Sequence, residues 1–271
     1  MLKLKLLIAL AVLGGKSYAA GYPAAAGAEA LSTGNCALKG RNAYSSFNNP
    51  AMMAGLKKQQ FGISATNRFG LADVNQLHFA YAMPYKHFGF GASIMQYGNG
   101  AYNEQSFGLS AAHALSEKFS FGAGMQLNTL AIAGYGYTAT VNSQLALLTT
   151  VNDQLQIAFR ALNPERVRIK KGDDERLATV WQMAGIYKAG KQVSVTAEVE
   201  KNNALPVNLK VGFDYVPVEK VHLRMGFSSL QPCFTFGAGF RYRKIIFEAA
   251  SQIHQVLGVT SNFSMQFEIG R

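Results

Sequence analysis

No stretch of this 271-residue chain reaches the roughly 18 consecutive apolar residues that a membrane-crossing helix needs. That excludes a helical membrane protein but not a barrel, whose lipid-facing and lumen-facing residues cancel in the mean hydropathy, here +0.04. Cysteine is also scarce, with only Cys36 and Cys233. One pair is no disulfide framework in a chain this long, so two readings stand: a single bridge, which an envelope compartment permits, or two buried free thiols. Signs of catalysis are missing too. The five histidines (His78, His87, His113, His222, His254) lack metal-ligand spacing, and there is no Gly-x-Ser-x-Gly elbow. No nucleophile–base pair or acid pair is expected to converge, so no enzyme activity, catalytic residue, metal or cofactor is assigned. Acid is the scarcer charge, with 15 acidic against 26 basic residues and a net charge of +11. The bases are spread over strands and turns rather than gathered on a helix, which argues against nucleic acid. Lipopolysaccharide phosphates or another anionic partner are better uses for them.

What the chain has is alternation. In Phe119–Asn128 the odd positions are Phe, Phe, Ala, Met and Leu, and the even ones Ser, Gly, Gly, Gln and Asn. Side chains on a strand point alternately to opposite faces, so this run has one greasy and one wet face. Fourteen such strands are expected, at 58–66, 73–83, 86–96, 104–114, 117–130, 136–150, 153–161, 177–188, 191–200, 205–216, 219–228, 232–242, 244–252 and 257–269. Tight turns, such as Pro84-Tyr85 and Ala189-Gly190, alternate with connections that are mostly longer, the longest at 162–176. The expectation is an all-β, antiparallel, up-and-down transmembrane barrel in a bacterial outer membrane, with tight turns and both termini periplasmic. Aromatics sort to the two strand ends: Tyr81, Tyr85, Phe88, Phe119, Tyr187, Tyr215, Tyr242 and Phe267 at one, and Phe69, Tyr97, Tyr102, Tyr135, Tyr137 and Phe234 at the other, as two headgroup belts would. In 177–188 the run Val180-Trp-Gln-Met-Ala184 with Ile186 does not alternate cleanly, which calls for a bulge or a different register.

Residues 1–19 read as a signal peptide: Lys3 and Lys5, an apolar stretch Leu6–Leu13, then Ser17-Tyr18-Ala19. Its removal would lower the net charge to about +8. Residues 20–57, rich in Ala, Gly, Ser and Asn, read as short helical turns before a barrel at 58–271. Ten strand glycines, among them Gly62, Gly89, Gly122, Gly212, Gly226 and Gly237, fall on the wet side, where a glycine marks the close approach of another backbone. The segment therefore reads as a plug folded into the lumen, with a periplasmic tail as the alternative.

Inward positions of the second half carry Glu198, Glu200, Lys210, Asp214, His222, Arg224, Arg241 and Glu248. Opposite charges on neighbouring strands make a lattice holding wall and plug, the alternative being an ion-selective constriction.

The segment Gly27–Cys36, followed by Ser46–Ala51 with Asn49-Pro50-Ala51, resembles the N-terminal hatch of the FadL-type fatty-acid transporter superfamily. Asn163-Pro164, Lys188–Glu200, Glu219–Gly226 and Leu257-Gly-Val-Thr-Ser261 resemble its short branch, the PorV/PorQ-like outer-membrane proteins of Bacteroidetes. This resemblance implies an accessory subunit that docks another envelope protein in a type IX secretion-like assembly. The wider superfamily implies instead a channel for small hydrophobic molecules such as fatty acids. The outer loops are short for a capture site, and the sequence reading leans to the partner role.

Overall fold

The computed structural model describes residues 25–169, 175–230 and 232–270. The expected signal peptide, 1–19, and residues 20–24 lie outside them.

Fourteen antiparallel strands close on themselves in sequence order. They are β1 Gln59–Asn67, β2 Asn75–Tyr85, β3 Phe88–Gly98, β4 Tyr102–Ala114, β5 Phe119–Ile132, β6 Gly136–Thr150 and β7 Leu155–Leu162. The second half is β8 Val180–Lys188, β9 Val193–Asn202, β10 Val207–Val218, β11 Val221–Ser228, β12 Cys233–Tyr242, β13 Ile245–His254 and β14 Gly258–Ile269. β1 pairs with β14 from Gln59↔Ile269 to Asn67↔Ser261, so no edge is left. Every expected strand is present, and the largest boundary difference is at β8, which starts at Val180 rather than 177.

The alternation reads directly as inside and outside. On β5, Gly122, Gly124 and Gln126 are buried while Phe121, Met125 and Leu127 are exposed. Leu109, Met125 and Phe263 are each more than 60% exposed on the outer wall. A continuous apolar exterior of this kind belongs in hydrocarbon, not water.

β8 needs no bulge. It pairs without register shift to β7 (Leu155↔Tyr187 through Leu162↔Val180) and to β9 (Val180↔Asn202 through Lys188↔Ser194). Its burial alternates from Val180 to Ile186. The sequence looked irregular because both faces are partly apolar: Trp181 and Met183 face outward, while Ala184 and Ile186 pack inside against Leu38, Ala51 and Met52. The one shift between paired strands lies at the tight-turn end of β10–β11, between Tyr215 and Val218.

Residues 25–56 run through the lumen. They form helix α1 (Ala28–Ser32), helix α2 (Ser45–Asn48) and a 3₁₀ turn over Pro50–Gly55. All four buried apolar clusters of the described residues join this segment to inward wall residues, as in Tyr44 and Phe47 with Ala80, or Met53 and Leu56 with Ala82 and Ala112. The core therefore lies between segment and wall.

Glycine makes that contact possible. A Cβ on Gly212 would sit 2.5 Å from the Thr33 side chain, and one on Gly89 would sit 2.5 Å from the Met53 carbonyl oxygen. Gly62, Gly91, Gly122, Gly226 and Gly237 likewise face Tyr44, Ser46, Pro50, Gly34 and Ser32. Gly108, Gly124 and Gly239 instead make room for neighbouring wall side chains.

The eight aromatics expected at the tight-turn end all take outward positions in the strand alternation. At the other end Phe234 and Tyr137 face outward, but Tyr97 and Tyr102 do not belong to the belt. They share the inward phase with Gln76 and Ser106 and meet edge to face at 6.2 Å, with the Arg68 guanidinium 5.1 Å from the Tyr97 ring.

Candidate functional site

The Asn49-Pro50-Ala51 triplet opens the 3₁₀ turn. Asn49 is extended (φ −156°), and Pro50 takes the first helical position, where a missing N–H costs nothing. Ala51 is fully buried against the β5 backbone at Gly122, where any larger residue would displace the turn. The Asn49 side chain is buried, and neither of its amide atoms has a hydrogen-bond partner among the described residues.

Further round, the lumen charges form a closed network. Lys210 Nζ donates to Glu198 Oε1 at 3.0 Å and Glu200 Oε2 at 2.8 Å, and also to the Asn35 carbonyl at 3.0 Å. Gln182 Nε2 donates to the same two carboxylates, and Arg160 Nε reaches Gln144, so the network extends to β6. Asp214 accepts from Lys39 at 3.1 Å and from Arg224 at 3.3 Å, and contacts His222 Nδ1 at 3.1 Å. Arg224 then donates to Glu248 at 2.7 Å. That last bond spans a whole strand. It passes over β12, whose inward residue there is Gly239, so no side chain obstructs it.

Arg241 therefore falls outside the lattice. It shares the inward phase but sits at the tight-turn end, about 40% exposed, paired with Glu268 at 2.5 Å; Lys58 also holds Glu268, at 3.3 Å. Sequence reasoning missed Lys39 and Gln182, since nothing local marks either as a partner. It also missed the backbone share: Leu38 N–H donates to Glu198 Oε2 at 3.0 Å. The network is tied to the N-terminal segment through Asn35, Leu38 and Lys39.

Burial raises the Cys36 thiol and the Tyr44 phenol well above their ordinary ranges. The Tyr44 hydroxyl donates to the Ile63 carbonyl at 2.7 Å. Cys36 and Cys233 are both buried and unbridged. His78 packs edge-on against Phe47 at 5.1 Å. Among the described residues no group of His, Cys, Asp and Glu has the geometry to hold a metal.

Above the segment lies a vestibule of about 660 Å³. Its floor includes Ala25, Leu31 and Asn35, and its lining mixes Phe69, Leu205, Leu230 and Leu257 with polar Gln76, Asn208 and Asn262 and charged Arg68, Glu175 and Arg176. A second pocket of about 70 Å³ lies among Phe47, Met95, Leu130, Leu162 and Ile169. Asn163, Leu177 and Ala178 complete its lining, and the Ile169 carbonyl accepts from Thr138 Oγ1 at 2.7 Å.

No family model and no curated protein matches the sequence. Solved structures match the fold. A TodX variant described as a monoaromatic hydrocarbon channel aligns with a TM-score of 0.71 at 10% identity, covering 90% of this chain and 99% of its own. The P. putida toluene transporter TodX aligns at 0.68 with 11% identity, covering 93% and 99%. A Pseudomonas aeruginosa FadL homologue aligns at 0.66 with 12% identity, covering 92% and 99%. At these identities the likeness establishes a shared 14-strand barrel architecture.

Proposed function

We propose that this protein is an outer-membrane channel for small hydrophobic molecules, with residues 25–56 as its plug. One observation carries the reading: a vestibule of about 660 Å³ at the long-loop end, floored by the N-terminal segment and lined by Leu31, Phe69, Leu205, Leu230 and Leu257 among polar and charged side chains. That volume is in the range that encloses one small ligand, roughly 300–1,000 Å³. The architecture shared with TodX and the FadL homologue supports the channel over the docking role to which the sequence leans. The charge lattice anchors the plug on the β9–β11 side, while apolar contacts hold it on the β2–β6 side.

The test uses the full-length protein in mild detergent, equilibrated with toluene or with a medium-chain fatty acid and analysed for retained ligand. Retention that is lost in Leu31→Arg/Leu205→Arg supports the channel. Equal retention in both proteins removes the vestibule from the reading.

A second reading, an accessory subunit of PorV/PorQ-like type, draws on Tyr135 and Val256. These loop-tip residues are 90% and 85% exposed. A stoichiometric envelope protein that co-purifies and is lost in Tyr135→Ser/Val256→Ser, with no retained ligand, would favour it.

A further inference from the structure

The excess positive charge is gathered at one end of the barrel. The buried charges cancel, with Lys39, Arg160, Lys210 and Arg224 balanced by Glu198, Glu200, Asp214 and Glu248. The described long-loop end is nearly even, with Arg68, Arg166, Arg168, Arg176 and Lys201 against Asp73, Glu104, Glu165 and Glu175. The tight-turn end is different. Its β2–β3 turn carries Lys86, β4–β5 Lys118, β8–β9 Lys188 and Lys191, β10–β11 Lys220, and β12–β13 Arg243 and Lys244. Lys57, Lys58 and Arg241 complete the ring, against only Glu117, Asp153, Glu219 and Glu268.

A second, independent pattern lies over the first. At four of these turns a cation directly adjoins an outward aromatic: Tyr85-Lys86, Lys118-Phe119, Tyr187-Lys188 and Tyr242-Arg243. Lys86 Nζ stands 5.6 Å from the Tyr85 ring centre, and the Arg243 guanidinium 5.4 Å from that of Tyr242. All four cations are exposed, and none forms an ion pair among the described residues. An aromatic ring settles at headgroup depth, and a cation one residue further from the hydrocarbon then stands at phosphate depth.

We propose that this collar binds the phosphates of anionic phospholipids in the leaflet at the tight-turn end. The cations run round the barrel, on five of the six tight turns, and the four adjoining aromatics occupy outward positions. A lipid annulus has that shape, whereas a protein partner would need one concentrated patch. Among the described residues the long-loop end has no comparable excess of cations with which to hold lipopolysaccharide. The inference concerns the wall alone and is independent of what passes through the lumen.

The experiment is native mass spectrometry of the full-length protein exchanged into mixed micelles. These contain equal phosphatidylglycerol and phosphatidylcholine, with lipopolysaccharide in a parallel arm. The wild type is expected to retain phosphatidylglycerol preferentially. In K86Q/K118Q/K188Q/R243Q the preference should fall on the order of fivefold per site, as expected for one cation near an anionic surface. A control, R166Q/R168Q at the other end, should leave it unchanged. If the quadruple variant fails to fold, raising the salt to about 0.5 M on the wild type should abolish the preference through screening. Three results would overturn the proposal: no preference in the wild type, a preference that survives both the variant and salt, or selective retention of lipopolysaccharide or of a periplasmic protein instead of phospholipid.

Discussion

Lys210 shows how much a single lumen residue holds. Its ammonium group donates to two buried carboxylates and also to the Asn35 carbonyl of the N-terminal segment. Lys210→Ala removes a directly bonded cation from the buried carboxylates of Glu198 and Glu200, and breaking a buried pair in this way costs about 3–5 kcal/mol. The expected outcome is a clear fall in the unfolding midpoint, read from the heat-modifiable electrophoretic band. Combining it with Glu198→Gln/Glu200→Gln should recover most of the loss, because the uncompensated charge is then gone. A midpoint unchanged in Lys210→Ala would show that water reaches this site freely. Gly239 matters for a related reason: its missing side chain leaves the space through which Arg224 reaches Glu248.

Among the elements, the N-terminal segment and the wall are separable. The wall closes by its own backbone ladder, while residues 25–56 are held by apolar contacts, the lattice and glycine clearances. Gly226→Val should therefore keep the barrel but unseat the segment, since its Cβ would collide with the Gly34 backbone. Limited proteolysis is the readout: the segment should become cleavable while the barrel band persists. Cleavage as slow as in the wild type would mean that the two backbones yield to each other.

The same element predicts a pH dependence. Tyr44 and Cys36 have folded pKa values raised above their unfolded ones. The stability they contribute is complete below the unfolded values, roughly 8.5 for Cys and 10 for Tyr, and is lost as pH rises beyond them. Protease sensitivity of the segment should begin to grow near pH 9, where the thiol of an opened segment ionises, and rise more steeply above about pH 10; Tyr44→Phe should flatten that second rise. A second rise identical in Tyr44→Phe would remove the phenol from the explanation. By the same burial, Cys36 should stay unreactive towards maleimide at neutral pH until the protein is unfolded.

At the scale of the whole molecule, the barrel is an inside-out arrangement, with an apolar surface meeting lipid and a largely polar one, with apolar patches, meeting the segment. Leu109, near the middle of β4 and 72% exposed, stands for the first. Leu109→Arg should cost about 2–4 kcal/mol in lipid-reconstituted unfolding, the usual penalty for a cation at mid-bilayer depth. A neutral effect there would place this band outside hydrocarbon.

Strand number, order and facing were legible in the residues, because a period of two maps each position to one side of a closed sheet and the turn residues set the register. Glycines such as Gly89 and Gly226 stood out for the same reason, as gaps in an otherwise filled face. Only the tertiary structure could decide what those gaps accommodate. Lys39 and Asp214 lie 175 positions apart, and no local pattern connects them. Tyr97 and Tyr102 were assigned by their height along the strand, yet the phase of the strand turns them inward. Arg241 has the right phase but the wrong height. Alternation along the chain determines one coordinate of each side chain, its face. Its depth in the barrel and its partner across the lumen arise from strand tilt and from the path of the enclosed segment, and both exist only once the sheet has closed.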